Sequence, residues 1–150
     1  MELILWRHAE AEDAAPDDAR RLTARGFDQA ERMAAWLARH LPARYRLLVS
    51  PARRTQQTAA ALQKTFQTVS ALAPGASAGA VLKAANWPAS EDTVIIVGHQ
   101  PTLGAVAARL LSGQDTSWSI RKGAVWWLAD RDREGSASVV LRASISPDFL

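Results

Sequence analysis

The chain opens on an apolar, β-prone run at residues 2–6, and the pattern breaks at Arg7-His8 into a polar stretch rich in Ala, Asp and Pro over residues 9–21. A buried strand followed by a loop fits that change. Thr23 stands where an N-cap belongs, and Phe27, Ala30, Ala34, Leu37 and Leu41 recur at three- and four-residue steps until Pro42. That spacing predicts an amphipathic helix. Residues 46–49 read as a short strand ending at Ser50-Pro51, and Thr55, Thr58, Ala59, Leu62 and Phe66 supply a second helical stripe. Residues 71–90 are rich in Ala and Gly, with a break at Pro74-Gly75 and a weaker helix predicted over 76–85.

Residues 93–97 form an uninterrupted β-branched run, the pattern of a central strand covered on both faces. Residues 98–101 turn the chain. Leu103, Val106, Ala107, Leu110 and Leu111 mark the next helix, which Gly113 is placed to close with a left-handed cap. Residues 124–129 and 137–145 read as two strands joined by 130–135. Strands alternating with helices predict an α/β fold: a three-layer α/β/α sandwich with a mostly parallel sheet, crossover helices on both faces and a C-terminal β-hairpin. With no internal repeat or linker, residues 1–150 are expected to form a single domain.

Composition narrows the chemistry. The 150 residues are 48% hydrophobic and 22% charged, lack cysteine and carry a formal net charge of +3, which suits one soluble domain of ordinary size. The lack of cysteine removes disulfide scaffolds, cysteine-ligated metal centres and thiol nucleophiles. No apolar run approaches the ~18–20 residues of a membrane span. Residues 1–6 run into Arg7-His8 without the layout of a signal peptide, so a cytoplasmic protein with no membrane partner is expected. A small net charge without a nucleic-acid motif argues against nucleic acid as a partner.

The histidines at 8, 40 and 99 show no close metal-ligand spacing, so neither a metal nor another cofactor is expected. His40, near the end of the first helix, reads as structural. Trp6, Trp36, Trp126 and Trp127 read as packing residues, whereas Trp87 and Trp118 lie in less regular segments and are candidates for lining a substrate mouth. No Asp or Glu occurs between Glu31 and Glu91, while Arg32, Arg39, Arg44, Arg46, Arg53, Arg54, Lys64 and Lys83 fall in that gap. A positive face is expected there, suited to steering an acidic partner.

Ligands of such sheets bind beyond the carboxyl ends of the strands. That rule places Arg7-His8, residues 50–54 and Gly98-His99 on one rim, an assembly of guanidinium, imidazole and helix starts suited to a dianion. Among these groups the credible covalent nucleophile is an imidazole, since cysteine is lacking and no serine sits in a Gly-x-Ser-x-Gly elbow. A P–N bond to His8 is labile to water, so one residue can serve as acceptor and then as leaving group.

Four motifs carry a family resemblance. Leu5-Trp6-Arg7-His8-Ala9-Glu10, Leu22-Thr23-x-x-Gly26-x-x-Gln29-Ala30, Ser50-Pro51-x-x-Arg54-x-x-Gln57-Thr58 and Gly98-His99-x-Pro101 resemble, in this order, the histidine phosphatase superfamily, of phosphoglycerate-mutase-like fold. Within it the chain is similar to the small SixA-type phosphohistidine phosphatases, over nearly its whole length. The resemblance implies that His8 is the nucleophile that becomes phosphorylated and that Arg7, Arg54 and His99 complete the catalytic phosphate pocket, with Gln100 as a further phosphate ligand. Arg54 and not Arg53 matches the motif arginine. Ala9 stands where the family usually has Gly.

Members that cleave phosphate monoesters generally place a carboxylic acid between the motif arginine and the second histidine, and this chain has none between Arg54 and Ser90. An alkoxide leaving group needs such an acid, worth ~10²–10⁴-fold, whereas a phosphorylated imidazole leaves readily once protonated. The expected activity is therefore metal-independent hydrolysis of phosphohistidine on a partner protein through a phosphohistidine intermediate on His8. Glu10, Glu12, Asp13 and Glu91 are the candidate acids left to reach the site from elsewhere. The resemblance points to phosphotransfer domains or phosphocarrier proteins as partners and to a monomer. The alternatives are a broad small-molecule phosphomonoesterase and a non-catalytic phosphoprotein-binding module.

Overall fold

Strand β1 (Glu2–Arg7) is central in a six-stranded sheet that also contains β2 (Tyr45–Val49), β3 (Gln67–Thr68), β4 (Thr93–Gly98), β5 (Val125–Asp130) and β6 (Val139–Ile145), in the spatial order β3-β2-β4-β1-β5-β6. The computed structural model describes residues 1–131 and 138–150. β3, β2, β4 and β1 pair in parallel, and β5 pairs antiparallel with both β1 and β6. Both faces of the parallel part are covered by helices, as a parallel sheet with crossover connections requires. The strand period of two decides which layer each residue joins.

Ile4, Trp6, Val49 and Val97 face Met33, Ala34 and Leu37 of α1 (Ala24–His40) and Ala59 of α2 (Arg53–Ala60). Leu3, Leu5, Leu48 and Ile96 face Val81 of α3 (Ala78–Ala84) and Leu103, Val106 and Ala107 of α4 (Thr102–Ser112). Thr23 caps α1 by accepting from the Gly26 N–H, and Gly113 closes α4 at φ 71°, the left-handed conformation glycine adopts without strain. His40 donates from Nδ1 to the Trp36 carbonyl and stacks on that indole, which accounts for its place in the last turn.

Three expectations need correction, and a fourth falls partly outside the described residues. Phe27 is 37% exposed, because Gly26 takes the inward position against the backbone of Glu10 and turns Phe27 to the edge of the stripe. The second helix stops at Ala60; Leu62 and Phe66 still pack on the core from irregular chain, and residues 67–68 add the short edge strand β3. The positive middle segment makes no single face: Arg39 and Arg53 ride α1 and α2, Lys83 rides α3 on the opposite layer, and Arg32 and Arg44 are paired with Asp28 and Asp92. The terminal hairpin pairs as expected from residue 139, whereas the expected strand start at Ala137 and most of the expected connection, residues 132–135, lie outside the described residues.

Candidate active site

The adjacency of β2, β4 and β1 brings three chain segments to one rim. Arg7 is in register with Gly98, the His8 N–H donates to the Gly98 carbonyl at 3.1 Å, and the Ser50 N–H donates to the Val97 carbonyl at 3.1 Å. Crossover connections therefore deliver His8, Ser50 and His99 to neighbouring strand ends although they are far apart in sequence. The His8 and His99 rings lie 5.4 Å apart, centre to centre.

His8 is 6% exposed, and its Nδ1 donates to the carbonyl of Ala9 at 2.7 Å. A proton held at Nδ1 leaves Nε2 with its lone pair free. Burial is the largest cause pushing the His8 pKa down to about 3; repulsion from His99 in its charged form, from Arg54 and from Arg7 adds to it, and the Ala9 carbonyl opposes it. His8 is thus a neutral imidazole over the whole physiological range, the form that attacks phosphorus.

His99 is oriented by Ser50. The Ser50 hydroxyl lies 2.7 Å from His99 Nε2 and accepts from the Ala52 N–H at 3.3 Å. Among the described residues the Ser50 hydroxyl has no acceptor other than Nε2, so it donates its one hydrogen there, which assigns the ring proton to Nδ1. Burial first, then Arg54 and Arg7, push the His99 pKa down to about 4, against the pull of Asp17. His99 is therefore also neutral, and it presents an N–H.

Arg54 enters on the first turn of α2 and is 4% exposed. Its Nη1 donates to the main-chain carbonyl of Asp17 at 2.9 Å and its Nη2 to the Asp17 carboxylate at 3.1 Å. Arg54 is the first cause that holds the Asp17 carboxyl below the usual carboxylate range. Arg53, one residue earlier, is exposed.

Among the described residues, the buried side-chain nitrogens or oxygens without a hydrogen-bond partner in the protein are Arg7 Nε, Arg54 Nε and His99 Nδ1. A buried donor left unpaired costs about 1–3 kcal/mol, and here all such groups are N–H donors on one rim beside the free His8 Nε2. A tetrahedral oxyanion is a ligand whose oxygens can satisfy such donors.

The remaining motif residues hold this cradle in place. The Thr58 hydroxyl accepts from the Ala9 N–H at 3.1 Å and donates to the Arg54 carbonyl at 2.7 Å, tying the loop after His8 to the helix that carries Arg54. Gln29 accepts from the Glu10 N–H at 3.0 Å, and Gln57 accepts from the Leu22 N–H at 2.7 Å. At Gly26 a Cβ would lie 2.0 Å from the Glu10 carbonyl oxygen. Motif residues outside the cradle, Gly26, Gln29, Gln57 and Thr58, thus brace the 9–22 loop. Ala9 is compatible with the site: it packs with Ala11, Leu22 and Ala30 and is absent from the positive-φ residues.

Of the residues expected from sequence, Arg7, His8, Arg54 and His99 come together. Gln100 serves differently: its amide donates to the Trp118 carbonyl at 2.8 Å and accepts from the Gly104 N–H at 2.7 Å, so it braces the entry of α4. Trp87 and Trp118 pack on the α3/α4 core and do not belong to the cradle. Asp13 and Glu10 pair with Arg20 and Arg25; the carboxylate that reaches the cradle is Asp17, which motif spacing does not reveal. Ser50 lies in a motif, but its partner 49 residues away is visible only in the fold.

Comparison with known proteins agrees with this geometry. The sequence model of the histidine phosphatase superfamily (branch 1) matches residues 3–75. Phosphohistidine phosphatase SixA of Escherichia coli is 31% identical over 123 residues, covering 76% of each chain. An uncharacterised protein of Picosynechococcus is 36% identical over 127 residues, covering 76% of this chain and 75% of its own. The structure of the protein histidine phosphatase SixA complexed with tungstate superposes with a TM-score of 0.83 at 27% identity, covering 99% of both chains. With the cradle, the fold and these relatives in agreement, the chain belongs to the histidine phosphatase superfamily as a phosphatase of the SixA type.

Proposed function

We propose that this phosphatase hydrolyses phosphohistidine on a partner protein, through a covalent phosphohistidine formed on His8. The observation that carries the reading is the His8 ring: its proton is fixed at Nδ1 by the Ala9 carbonyl, and its free Nε2 stands beside three unpaired N–H donors. Arg7, Arg54 and His99 take the phosphoryl oxygens and stabilise the charge of the transition state. Nε2 forms a bond to phosphorus as the substrate P–N bond breaks. The departing imidazole, protonated beforehand at its other ring nitrogen, leaves as a neutral ring. Water then attacks the His8 phosphoryl group, the Nε2–P bond breaks, inorganic phosphate departs and one proton passes to solvent.

Preference for phosphohistidine over an alkyl phosphate is supported by the acids around the cradle. Among the described residues the carboxylate in contact with it is Asp17, paired with Arg54 and held ionised, so it is poorly suited to protonating an alkoxide. A single chain supplies the entire cradle, which supports action as a monomer. The test is phosphate release by the wild type and His8→Ala from a histidine-phosphorylated protein and from a phosphate monoester. His8-dependent release from the phosphohistidine alone is expected. Equal turnover of the monoester would make a carboxyl such as Asp17 the acid and the protein a phosphomonoesterase; cleavage of neither would leave a binding module.

A further inference from the structure

The rim that carries the cradle continues past Arg7 toward β5 and β6, where a cavity of ~530 Å³ opens. Arg7 is its wall on the cradle side, and Arg121 and Lys122 line it from the turn that precedes β5. That turn is fastened to the catalytic segment. Arg7 Nη1 donates to the Ile120 carbonyl at 2.8 Å, and the Gly123 N–H donates to the carbonyls of Arg7 at 3.1 Å and His8 at 3.0 Å. Gly123 holds φ 72°, the left-handed conformation that glycine adopts without strain, and a Cβ there would press on Pro147 at 3.1 Å. The hydrogen bonds of Ile120 and Gly123 therefore hold the backbone that carries Arg121 and Lys122 against residues 7 and 8.

The charges of the cavity are unequally matched. Arg25 and Arg32, on the α1 side, are paired with Glu10 at 3.8 Å and Asp28 at 2.9 Å. Asp148 also lines the cavity, is hydrogen-bonded to Ser146 and lies in the field of Arg121 and Arg25 without an ion pair to either. Among the described residues no carboxylate lies within 4.0 Å of Arg121 or Lys122. Both are exposed, next to a cradle whose substrate is itself anionic. An exposed lysine or arginine is ordinarily only a solvated charge; these two stand on a turn whose Ile120 and Gly123 are hydrogen-bonded to Arg7 and His8, at the edge of a cavity that Arg7 also lines.

Resting on the phosphohistidine reading, we infer that this cavity receives an acidic side chain next to the phosphohistidine of the partner protein, with Arg121 and Lys122 as its recognition groups. Charge complementarity selects the occupant: the cradle takes the phosphoryl group, and the two cations, neither held in an ion pair, take a carboxylate from the same segment. The contact is made equally before and during phosphoryl transfer, so it acts on KM and leaves kcat alone. It also makes association dependent on salt.

The experiment uses a synthetic phosphohistidine peptide flanked by glutamates, its twin flanked by glutamines, and free phosphohistidine, with the wild type and the double variant Arg121→Glu, Lys122→Glu. In the wild type the acidic peptide is expected to have a KM about tenfold below its twin, an advantage that shrinks with added salt. In the variant that preference disappears or reverses, while turnover of free phosphohistidine is unchanged, which also shows that the variant is folded. Equal KM values for the two peptides in the wild type, or a preference retained in the variant, would overturn the inference. Inhibition by citrate as strong as by the acidic peptide, and lost in the variant, would assign the cavity to small polyanions instead. If the wild type cleaves none of the substrates, the catalytic reading fails, and binding titrations of the two peptides still decide the subsite.

Discussion

Arg53 and Arg54 carry equal charge on the first turn of α2, and replacing each by alanine separates position from charge. Arg54 is 4% exposed, and its buried Nε is one of the three unpaired donors of the cradle. Two charge-assisted hydrogen bonds to a phosphoryl group, at about 1.5–3 kcal/mol each, amount to about 3–6 kcal/mol. Arg54→Ala is then expected to lower kcat/KM by ~10²–10⁴-fold. Arg53 is exposed; a charge one Debye length from a dianion, about 8 Å at physiological salt, contributes about 0.4 kcal/mol after screening, or roughly twofold. Arg54→Lys keeps the charge and loses the planar fork, so it should fall close to the alanine variant. Steady-state hydrolysis of a histidine-phosphorylated protein is the assay, with thermal unfolding of each variant as the control for folding. Asp17, the partner that Arg54 leaves behind, is exposed and readily hydrated, so only a small stability change is expected. Equal losses at positions 53 and 54, or full activity in Arg54→Lys, would refute a positioned bidentate contact.

Three further outcomes follow from the same geometry. With pKa values pushed from 6.5 to about 3 and about 4, the His8 and His99 rings bind fewer protons folded than unfolded. Stability is therefore complete above about pH 6.5 and is lost progressively as the pH falls to about 4 and then 3; neither ring should titrate by NMR between pH 8 and 5, and His8→Gln should flatten the acid dependence of the urea midpoint. An inflection of the His8 ring near 6.5 would contradict the burial argument. Gly26→Ala, whose methyl would meet the Glu10 carbonyl, should cost about 1–3 kcal/mol in chemical denaturation, and an unchanged midpoint would show that the 9–22 loop yields freely. Asp17→Asn removes the carboxylate that competes for Arg54, a half-exposed pair worth at most about 1 kcal/mol. Inorganic phosphate should then inhibit up to about fivefold more strongly, whereas weaker inhibition would make Asp17 the residue that positions Arg54.

Much of this protein is written locally. The β-branched run at 93–97 and the apolar run at 2–6 became the two central strands because burial on both faces leaves a nearly continuous apolar signature. Thr23 and Gly113 acted as the caps their chemistry implies, since capping is settled within one turn of chain. The motifs at 5–10, 50–58 and 98–101 were legible as a site because parallel strands must place their carboxyl ends together, and Arg7, His8, Arg54 and His99 do meet there. Leu62 and Phe66 kept the helical spacing, yet they pack on the core from beyond the end of α2: periodicity records which residues are buried and not the backbone that buries them.

What only the tertiary structure decided are the pairings between distant groups. Asp17 finds Arg54 across 37 residues, Ser50 finds His99 across 49, and the 120–123 turn fastens to Arg7 and His8 across more than 110. No local pattern encodes them, because each depends on how long loops close over the rim. The same closure leaves Arg7 Nε, Arg54 Nε and His99 Nδ1 buried without protein partners, a property of the assembled sheet that exists in no single segment. The sequence by itself determined which residues are equipped for phosphoryl chemistry; the packing of strands and loops determined which donors are left free for it, because hydrogen bonds are satisfied or forgone only once the chain has closed around them.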